Sequence, residues 1–252
     1  MLPAMTFAIG IQSRAGLVAL ADTRIVRGGE KLTRGKLAVL PHGGGSFFVM
    51  TSGLRSVRDK LMIYAESALA EEGESITRLH EVVTLLGQQL RRIHNEDGEG
   101  LAASGLSFNL HAVVGGMLDG DESPLLFQLY PAGNWILASD ESPTFIIGRS
   151  SYGRPIVDRV IAPETSLEVC VPLAVLAFDA TRTSSVDVDF PVDVLTVAPD
   201  GTVREQRYGE ADLDACMRAW QDHLQAGLRV LPTAWAAPLL PGGSAHDPAP
   251  DA

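Results

Sequence analysis

Three residues near the start of the chain could together perform nucleophilic chemistry. Thr6 follows Met5, so removal of the residues through Met5 would leave a threonine with its own free α-amine. Such an amine, with a pKa of about 7.7–8.0, can act as the base for the hydroxyl of the same residue. Asp22 lies 16 positions after Thr6, and Lys36 lies 30 positions after it. A lysine beside the amine would lower its proton affinity and stabilise the ionised hydroxyl, and an aspartate would orient the lysine.

The elements that must position these residues are short apolar strands. Residues 7–12 and 17–21 predict one hairpin, and residues 36–40 and 46–51 predict a second. The three candidate residues stand at the ends of these strands. Hairpin geometry can therefore bring them together at one edge of a sheet.

The rest of the chain alternates between groups of strands and pairs of helices. Apolar residues at three- and four-residue steps predict helices, and shorter apolar runs predict strands. The order is two helices (54–68, 76–93), an acidic loop (95–100), strands (106–117, 125–130, 135–138, 144–147), helices (153–161, 166–181), a strand (192–197) and a helix (212–228). Strands and helices do not alternate one for one, which argues against a parallel doubly wound sheet. The expected fold is α+β, a four-layer αββα sandwich of two antiparallel sheets between helical layers.

One domain accounts for most of the length. We expect residues 1–5 to be a leader that is removed before Thr6, and residues 6–231 to form the domain. Residues 232–252 are rich in Pro, Ala and Gly and lack periodicity, so they predict a disordered tail.

Composition excludes several classes of function. The chain has 252 residues with 31 acidic and 20 basic side chains, a net charge of −11, which argues against binding to a phosphate backbone. Two cysteines are too few for a disulfide framework. The N-terminus lacks the basic region of a secretory signal, and we expect no membrane span. We therefore expect a cytoplasmic protein that binds neither nucleic acid nor membrane.

Three segments resemble sites without meeting their requirements. His80 begins a near match to the HExxH zinc signature but has Thr84 where the second histidine belongs. The glycines after His42 resemble a lipase oxyanion segment, but the GxSxG elbow is missing and a hairpin loop explains them. Residues 28–36 contain a Gly-Lys pair without the Ser or Thr of a P-loop. No metal and no cofactor are expected.

Taken singly, each of the three candidate residues also has an ordinary explanation. A threonine after methionine is common, an aspartate at a strand end is usually a turn residue, and a lysine can be a solvated strand end. Spacing alone leaves these explanations open.

Several separated motifs resemble one family. Thr6, Lys36 and the segments 17–24 (LVALADTR) and 51–54 (TSGL) follow the pattern of proteasome β-type N-terminal nucleophile hydrolases. More closely, the chain resembles the bacterial proteasome-related family called Anbu. The residues that carry this closer resemblance are 129–134 (LYPAGN), 147–148 (IG), 152–155 (YGRP) and 190–193 (FPVD). The resemblance extends from Thr6 to Leu231.

The resemblance implies roles for individual residues. Thr6 would be the nucleophile with its α-amine as base, and Asp22 and Lys36 would be the family's Asp–Lys pair. The backbone N–H of Gly53 would stabilise the tetrahedral oxyanion. Ser184 would be the serine that supports the terminal amine, although a loop serine before a strand explains it equally well.

The resemblance also implies self-association and leaves three functions open. The first is a threonine-type peptidase built from identical subunits in a ring or spiral. The second is a non-catalytic structural subunit of a proteasome-like assembly. Such subunits have a helical extension before the first strand, and the five residues before Thr6, which include Pro3, favour the enzyme. The third is an N-terminal nucleophile amidase that acts on a small amide.

Overall fold

A computed structural model describes residues 6–27, 30–33 and 35–239 of the protein. The expected leader, residues 1–5, and the end of the expected tail, residues 240–252, lie outside the described residues. Within the expected tail, Ala234–Leu239 form a short 3₁₀ helix.

Twelve strands and five α-helices make up the described part of the chain. Their order is β1 (Phe7–Ser13), β2 (Gly16–Asp22), β3 (Arg24–Arg27), β4 (Glu30–Thr33), β5 (Leu37–His42), β6 (Gly45–Gly53), α1 (Arg55–Glu72), α2 (Leu79–Ala103), β7 (Leu110–Met117), β8 (Leu125–Leu129), β9 (Trp135–Leu137), β10 (Thr144–Gly148), α3 (Arg154–Val157), α4 (Leu167–Arg182), β11 (Val192–Val197), β12 (Val203–Tyr208) and α5 (Glu210–Arg229). Both expected hairpins are confirmed, because β1 pairs with β2 and β5 pairs with β6 in antiparallel register.

The strands form two five-stranded antiparallel sheets and a small hairpin. The first sheet has the order β10-β1-β2-β11-β12, and the second has the order β5-β6-β7-β8-β9. Helices α3 and α4 pack against the first sheet, and α1 and α2 pack against the second. A third apolar cluster fills the space between the sheets. The expected αββα sandwich is confirmed.

Burial on both faces explains why the central strands are apolar at nearly every position. In β1, Phe7 and Ile9 face the α3–α4 layer, and Ala8 between them faces the other sheet. In β6, Phe47 faces the α1–α2 layer and Phe48 faces the other sheet. Successive side chains of a strand point to opposite faces, so a sheet with two covered faces needs continuous apolar runs.

Some of the expected elements are wrong. The acidic segment 95–100 is not a loop, since α2 continues through it to Ala103. Lys60 on α1 pairs with two acids of this segment. Its Nζ atom donates to Glu96 at 3.0 Å and to both carboxylate oxygens of Asp97 at 2.9 Å. The helix expected over residues 153–161 is only the four-residue α3.

Strand β12 was not expected, because its sequence VREQRY is polar and mostly exposed at the edge of the first sheet.

The described chain divides into two compact units between Leu213 and Asp214. The first contains the two sheets and helices α1 to α4. The second contains most of α5 and the short 3₁₀ helix. Among the described helices, none has the length and apolar character that a membrane crossing requires.

Candidate active site

Thr6 lies directly before β1 and is only 5% exposed. Its carbonyl oxygen accepts a hydrogen bond from the backbone N–H of Arg149, 2.8 Å away. Gly148, the last residue of β10, allows this close approach, since a Cβ atom there would lie 1.8 Å from the carbonyl oxygen of Thr6. Its φ of +85° is a conformation that glycine adopts without steric cost. The end of β10 therefore holds the backbone of the candidate nucleophile.

Asp22, the last residue of β2, connects the start of β1 to Lys36. The Oδ1 atom accepts hydrogen bonds from the backbone N–H of Phe7 at 2.9 Å and from Nζ of Lys36 at 2.8 Å. The Oδ2 atom accepts from the same Nζ at 2.8 Å. The carboxylate is fully buried, so both of its oxygens depend on these partners. The structure thus brings Asp22 and Lys36 together beside the residue that follows Thr6.

Lys36 lies directly before β5 and is 7% exposed. Its carbonyl oxygen accepts a hydrogen bond from the backbone N–H of Thr51 at 3.3 Å. The preceding carbonyl, that of Gly35, accepts a hydrogen bond of 2.9 Å from Nη2 of Arg58 on α1. Two neighbouring elements therefore hold the backbone from which the lysine side chain extends to Asp22.

Gly53 ends β6 where the second sheet gives way to α1. Its φ is +139°, and a Cβ atom at this position would lie 2.1 Å from the carbonyl oxygen of Asn109. The same oxygen accepts a hydrogen bond of 2.8 Å from the backbone N–H of Leu54. The position therefore requires glycine for structural reasons, and its role toward an oxyanion stays a prediction.

Ser184 lies in the loop after α4 and is exposed. Its backbone N–H donates a hydrogen bond of 3.1 Å to the carbonyl oxygen of Thr181. The next residue, Ser185, has a buried hydroxyl oxygen with no hydrogen-bond partner among the described residues. The loop reaches the end of β2, because the carbonyl oxygen of Pro191 accepts bonds from the backbone N–H and the hydroxyl of Thr23, at 3.0 and 2.7 Å. Sequence reasoning did not single out Ser185, whose burial only the fold decides.

Solved structures of Anbu proteins share this architecture. The Anbu (Gly-1) mutant from Hyphomicrobium sp. strain MC1 is 28% identical with a TM-score of 0.81, covering 90% of this chain and 98% of its own. Anbu from Yersinia bercovieri is 27% identical with a TM-score of 0.81, covering 90% and 97%. The helical assembly of the Anbu complex from Pseudomonas aeruginosa is 26% identical with a TM-score of 0.82, covering 90% and 97%. The chain is an Anbu-like protein.

The resemblance seen in the motifs is therefore confirmed, and the Anbu-like chain has a proteasome-related fold. No family model and no curated protein matches the chain.

Burial dominates the electrostatics of the Asp–Lys pair in the Anbu-like chain. It raises the pKa of Asp22 from 3.8 to about 6, although Lys36 and the N–H of Phe7 act in the opposite direction. Burial likewise lowers the pKa of Lys36 below 10.5 against the attraction of Asp22. Both shifts oppose what an ion pair alone would produce, because desolvation of two charges outweighs their attraction. Burial therefore decides the direction of the pKa shift for both members of the pair.

Further charged residues lie near Lys36 and the preceding Gly35 in the Anbu-like protein. Arg58 lowers the pKa of Lys36 through charge repulsion, and Asp187 raises it. On the other side, a Cβ atom on Gly35 would lie 3.6 Å from the carboxylate of Asp193, which pairs with Arg207 at 2.6 and 2.9 Å. Sequence reasoning used Asp193 only as part of the 190–193 motif and missed Arg58, Asp187 and Arg207, because they come from α1, the α4–β11 loop and β12.

The segment around His42 has a structural role, whereas residues 28, 29 and 34 of the Gly-Lys segment lie outside the described residues. His42 and Gly45 pair at the end of the β5–β6 hairpin, which confirms the loop interpretation of these glycines. Within the described ranges, no group of three or more His, Cys, Asp or Glu residues could hold a metal ion.

Proposed function

We propose that this Anbu-like protein is an N-terminal threonine hydrolase that cleaves peptide bonds. The supporting observation is the buried Asp22 carboxylate, which accepts hydrogen bonds from both Lys36 and the N–H of Phe7. This carboxylate sets the lysine ammonium beside the residue that follows Thr6. A buried ion pair is costly to desolvate. Activation of a nucleophile by the lysine would be a functional reason for keeping such a pair.

The proposed reaction begins after removal of residues 1–5 has freed the α-amine of Thr6. The amine accepts the proton of the Thr6 hydroxyl, and Oγ attacks the substrate carbonyl carbon. Collapse of the tetrahedral intermediate breaks the C–N bond, and the leaving amine takes the proton. Water, deprotonated by the same α-amine, then attacks the ester carbonyl carbon, the bond between that carbon and Oγ breaks, Oγ takes the proton back from the amine, and the carboxylic acid product leaves. Lys36 stabilises negative charge on Oγ throughout, and Asp22 orients Lys36.

The oxyanion and the terminal amine require further partners. We propose the backbone N–H of Gly53 as the oxyanion donor, a type of interaction worth roughly 2.7–4 kcal/mol in other hydrolases. Ser184 remains the proposed support for the amine. Ser185 competes for this role, because its buried hydroxyl has no partner among the described residues. Comparing Ser184→Ala with Ser185→Ala in the processed protein decides between them: the serine in use is the one whose loss slows acylation.

Assembly and location belong to the same proposal. We propose that identical subunits form a ring or spiral, supported by the Anbu complex from Pseudomonas aeruginosa, which is described as a helical assembly. The proposed substrate is a peptide, and the proposed location is the cytoplasm.

Two other functions use the same fold. A structural subunit would keep residues 1–5, so that Thr6 stays an internal residue. An amidase would free Thr6 but act on a small amide. The buried Asp22–Lys36 pair favours a catalytic role over the structural one and does not discriminate between peptide and small amide.

The first experiment is intact mass spectrometry with N-terminal sequencing of protein produced from its own start. The proposal expects material that begins at Thr6. Material that begins uniformly at Met1 would support the structural subunit.

The second experiment is labelling with an epoxyketone, which reacts with both the hydroxyl and the amine of an N-terminal threonine. We expect one adduct per processed chain and none in Thr6→Ala. The control is Thr144→Ala, which alters another buried threonine and should keep the adduct. An adduct on the Thr6→Ala protein would show that another residue is the nucleophile.

A further inference from the structure

A cleft of about 430 Å³ opens on the helical layer that covers the second sheet. It lies between the C-terminal half of α2 and the turn that joins β8 to β9. The lining residues are Arg91, His94, Asn95, Phe108, Pro131 and Ala132. Its volume falls within the range of small-molecule sites, about 300–1,000 Å³.

A close backbone contact beside the cleft fixes its geometry. Gly87 on α2 meets Gly133 in the β8–β9 turn, and a Cβ atom on Gly87 would lie 2.3 Å from the carbonyl oxygen of Gly133. One turn later, Nη1 of Arg91 donates to that same oxygen at 2.7 Å. The guanidinium is therefore held at the cleft by a hydrogen bond that uses only one of its five N–H groups.

The remaining lining residues combine hydrogen-bond donors with an apolar surface. The rings of His94 and Phe108 meet edge to face, with centroids 4.7 Å apart. One turn after His94, Gly98 leaves room for the imidazole, since a Cβ atom there would lie 3.2 Å from Nε2. The imidazole and the amide of Asn95 can each donate a hydrogen bond, and Phe108 offers an aromatic wall.

The charge of the cleft contrasts with that of the whole chain. None of its six lining residues carries a carboxylate, although the chain has 31 acidic and 20 basic side chains. Of the acids that follow on α2, Glu96 and Asp97 are bound to Lys60, and Glu96 also accepts hydrogen bonds from Tyr64 and Arg92, whereas Glu99 is exposed. These contacts hold the pKa of Glu96 at about 2. Cationic and neutral donors thus face the cleft, and the two acids that directly follow Asn95, Glu96 and Asp97, are paired with cations.

We propose that this cleft binds a carboxylate carried on an apolar group, with Arg91 pairing with the carboxylate and Phe108 contacting the apolar part. The planar guanidinium can form two parallel hydrogen bonds with a carboxylate. The hydrogen bond to Gly133 already orders the Arg91 side chain, which reduces the conformational entropy that the side chain loses when a ligand binds. Two sources have this chemistry: a small free acid, and the C-terminal residue of a peptide. The proposal is independent of hydrolysis at Thr6.

The test is calorimetric titration of the full-length protein with N-acetyl-leucine, N-acetyl-leucinamide, and the peptide acetyl-Ala-Ala-Leu as acid and as amide. We expect saturable binding of at least one acid, and at least about tenfold weaker binding of its amide. Equal affinity for both acids indicates a free small acid as the source. Binding of the peptide acid alone indicates a peptide C-terminus.

Two variants and a control locate the binding. Arg91→Gln should weaken binding of the acid about tenfold or more, because a charge-assisted hydrogen bond is lost. Ala132→Glu leaves the hydrogen bond between Arg91 and Gly133 in place. It should weaken binding of the acid, because the new carboxylate repels the carboxylate of the ligand. Arg159→Gln, the control, changes an exposed arginine outside the cleft lining and away from the acids of α2, and should leave binding unchanged. Equal binding of acid and amide, unchanged binding in both cleft variants, or no saturable binding up to about 20 mM would overturn the proposal.

Discussion

Replacing Lys36 with methionine tests the physical description of the candidate site most directly. The substitution keeps an unbranched side chain of similar length but removes the ammonium group. The fully buried carboxylate of Asp22 would keep only the backbone N–H of Phe7 among its present hydrogen-bond donors. An uncompensated charge would then lie inside the fold.

The structure sets the size of the expected effect. With Lys36 in place, the pKa of Asp22 is already raised from 3.8 to about 6, and two pKa units correspond to about 3 kcal/mol against the ionised form. Loss of the ammonium raises this pKa further. Removal of one partner from a buried ion pair costs about 3–5 kcal/mol. We therefore expect Lys36→Met to lower the free energy of unfolding at pH 8 by at least about 3 kcal/mol.

The loss should depend on pH in one direction. Because the folded-state pKa of Asp22 lies above its unfolded value, the folded chain binds this proton more tightly, and stability falls as pH rises through the folded-state pKa. In Lys36→Met this pKa exceeds about 6, so the added cost develops as pH rises above 6. The difference from wild type should therefore be largest at pH 8 and smaller at pH 5.

Urea unfolding followed by circular dichroism, at one fixed protein concentration, measures this difference, since association also changes apparent stability. Lys60→Met is the matched control, because Lys60 is also ion-paired but its side chain is 34% exposed, and it should cost much less stability than Lys36→Met. The double variant Asp22→Asn, Lys36→Met should be more stable than Lys36→Met alone, since no charge stays unpaired. A loss below about 1 kcal/mol at pH 8, or one that grows as pH falls, would refute the reasoning.

Three further substitutions, two of them with a glycine control, have distinct expected outcomes. Gly148→Ala should cost at least about 3 kcal/mol in urea unfolding, because its Cβ atom would meet a carbonyl oxygen at 1.8 Å. Its control is Gly105→Ala: Gly105 also has a positive φ, +71°, but a Cβ atom there would meet no other atom, so the substitution should cost about 1 kcal/mol. Gly87→Ala should destabilise α2 through its 2.3 Å approach to the β8–β9 turn, whereas Gly100→Ala, in open space on the same helix, should stabilise it by about 0.5–1 kcal/mol. Arg58→Gln should raise the pKa of the site lysine in a lysine-selective NMR titration, since a repelling cation is lost. Equal costs within either glycine pair, or an unchanged lysine pKa, would contradict these expectations.

The elements that form the sandwich could be predicted from the sequence because local pattern determined them. Strands β1 and β2 are apolar at nearly every position, and a strand buried on both faces requires this. The edge strand β12 could not be predicted, because its side chains are polar and mostly exposed and so lack the apolar pattern of a buried strand. Residues 95–100 looked like a loop from their acids and glycines, but Lys60, more than 30 positions away in sequence, pairs with those acids in a helix.

For the candidate site, the sequence by itself determined which chemistry is available. Its apolar pattern predicts that Thr6, Asp22 and Lys36 lie at strand ends, and it has a glycine at position 53. Only the tertiary structure decided that Asp22 is fully buried and bound to Lys36, and that burial outweighs their attraction in setting both pKa values. It also decided which of two adjacent serines has the buried hydroxyl. The physical reason is that desolvation depends on every element packed around a group, and those elements come from distant parts of the chain.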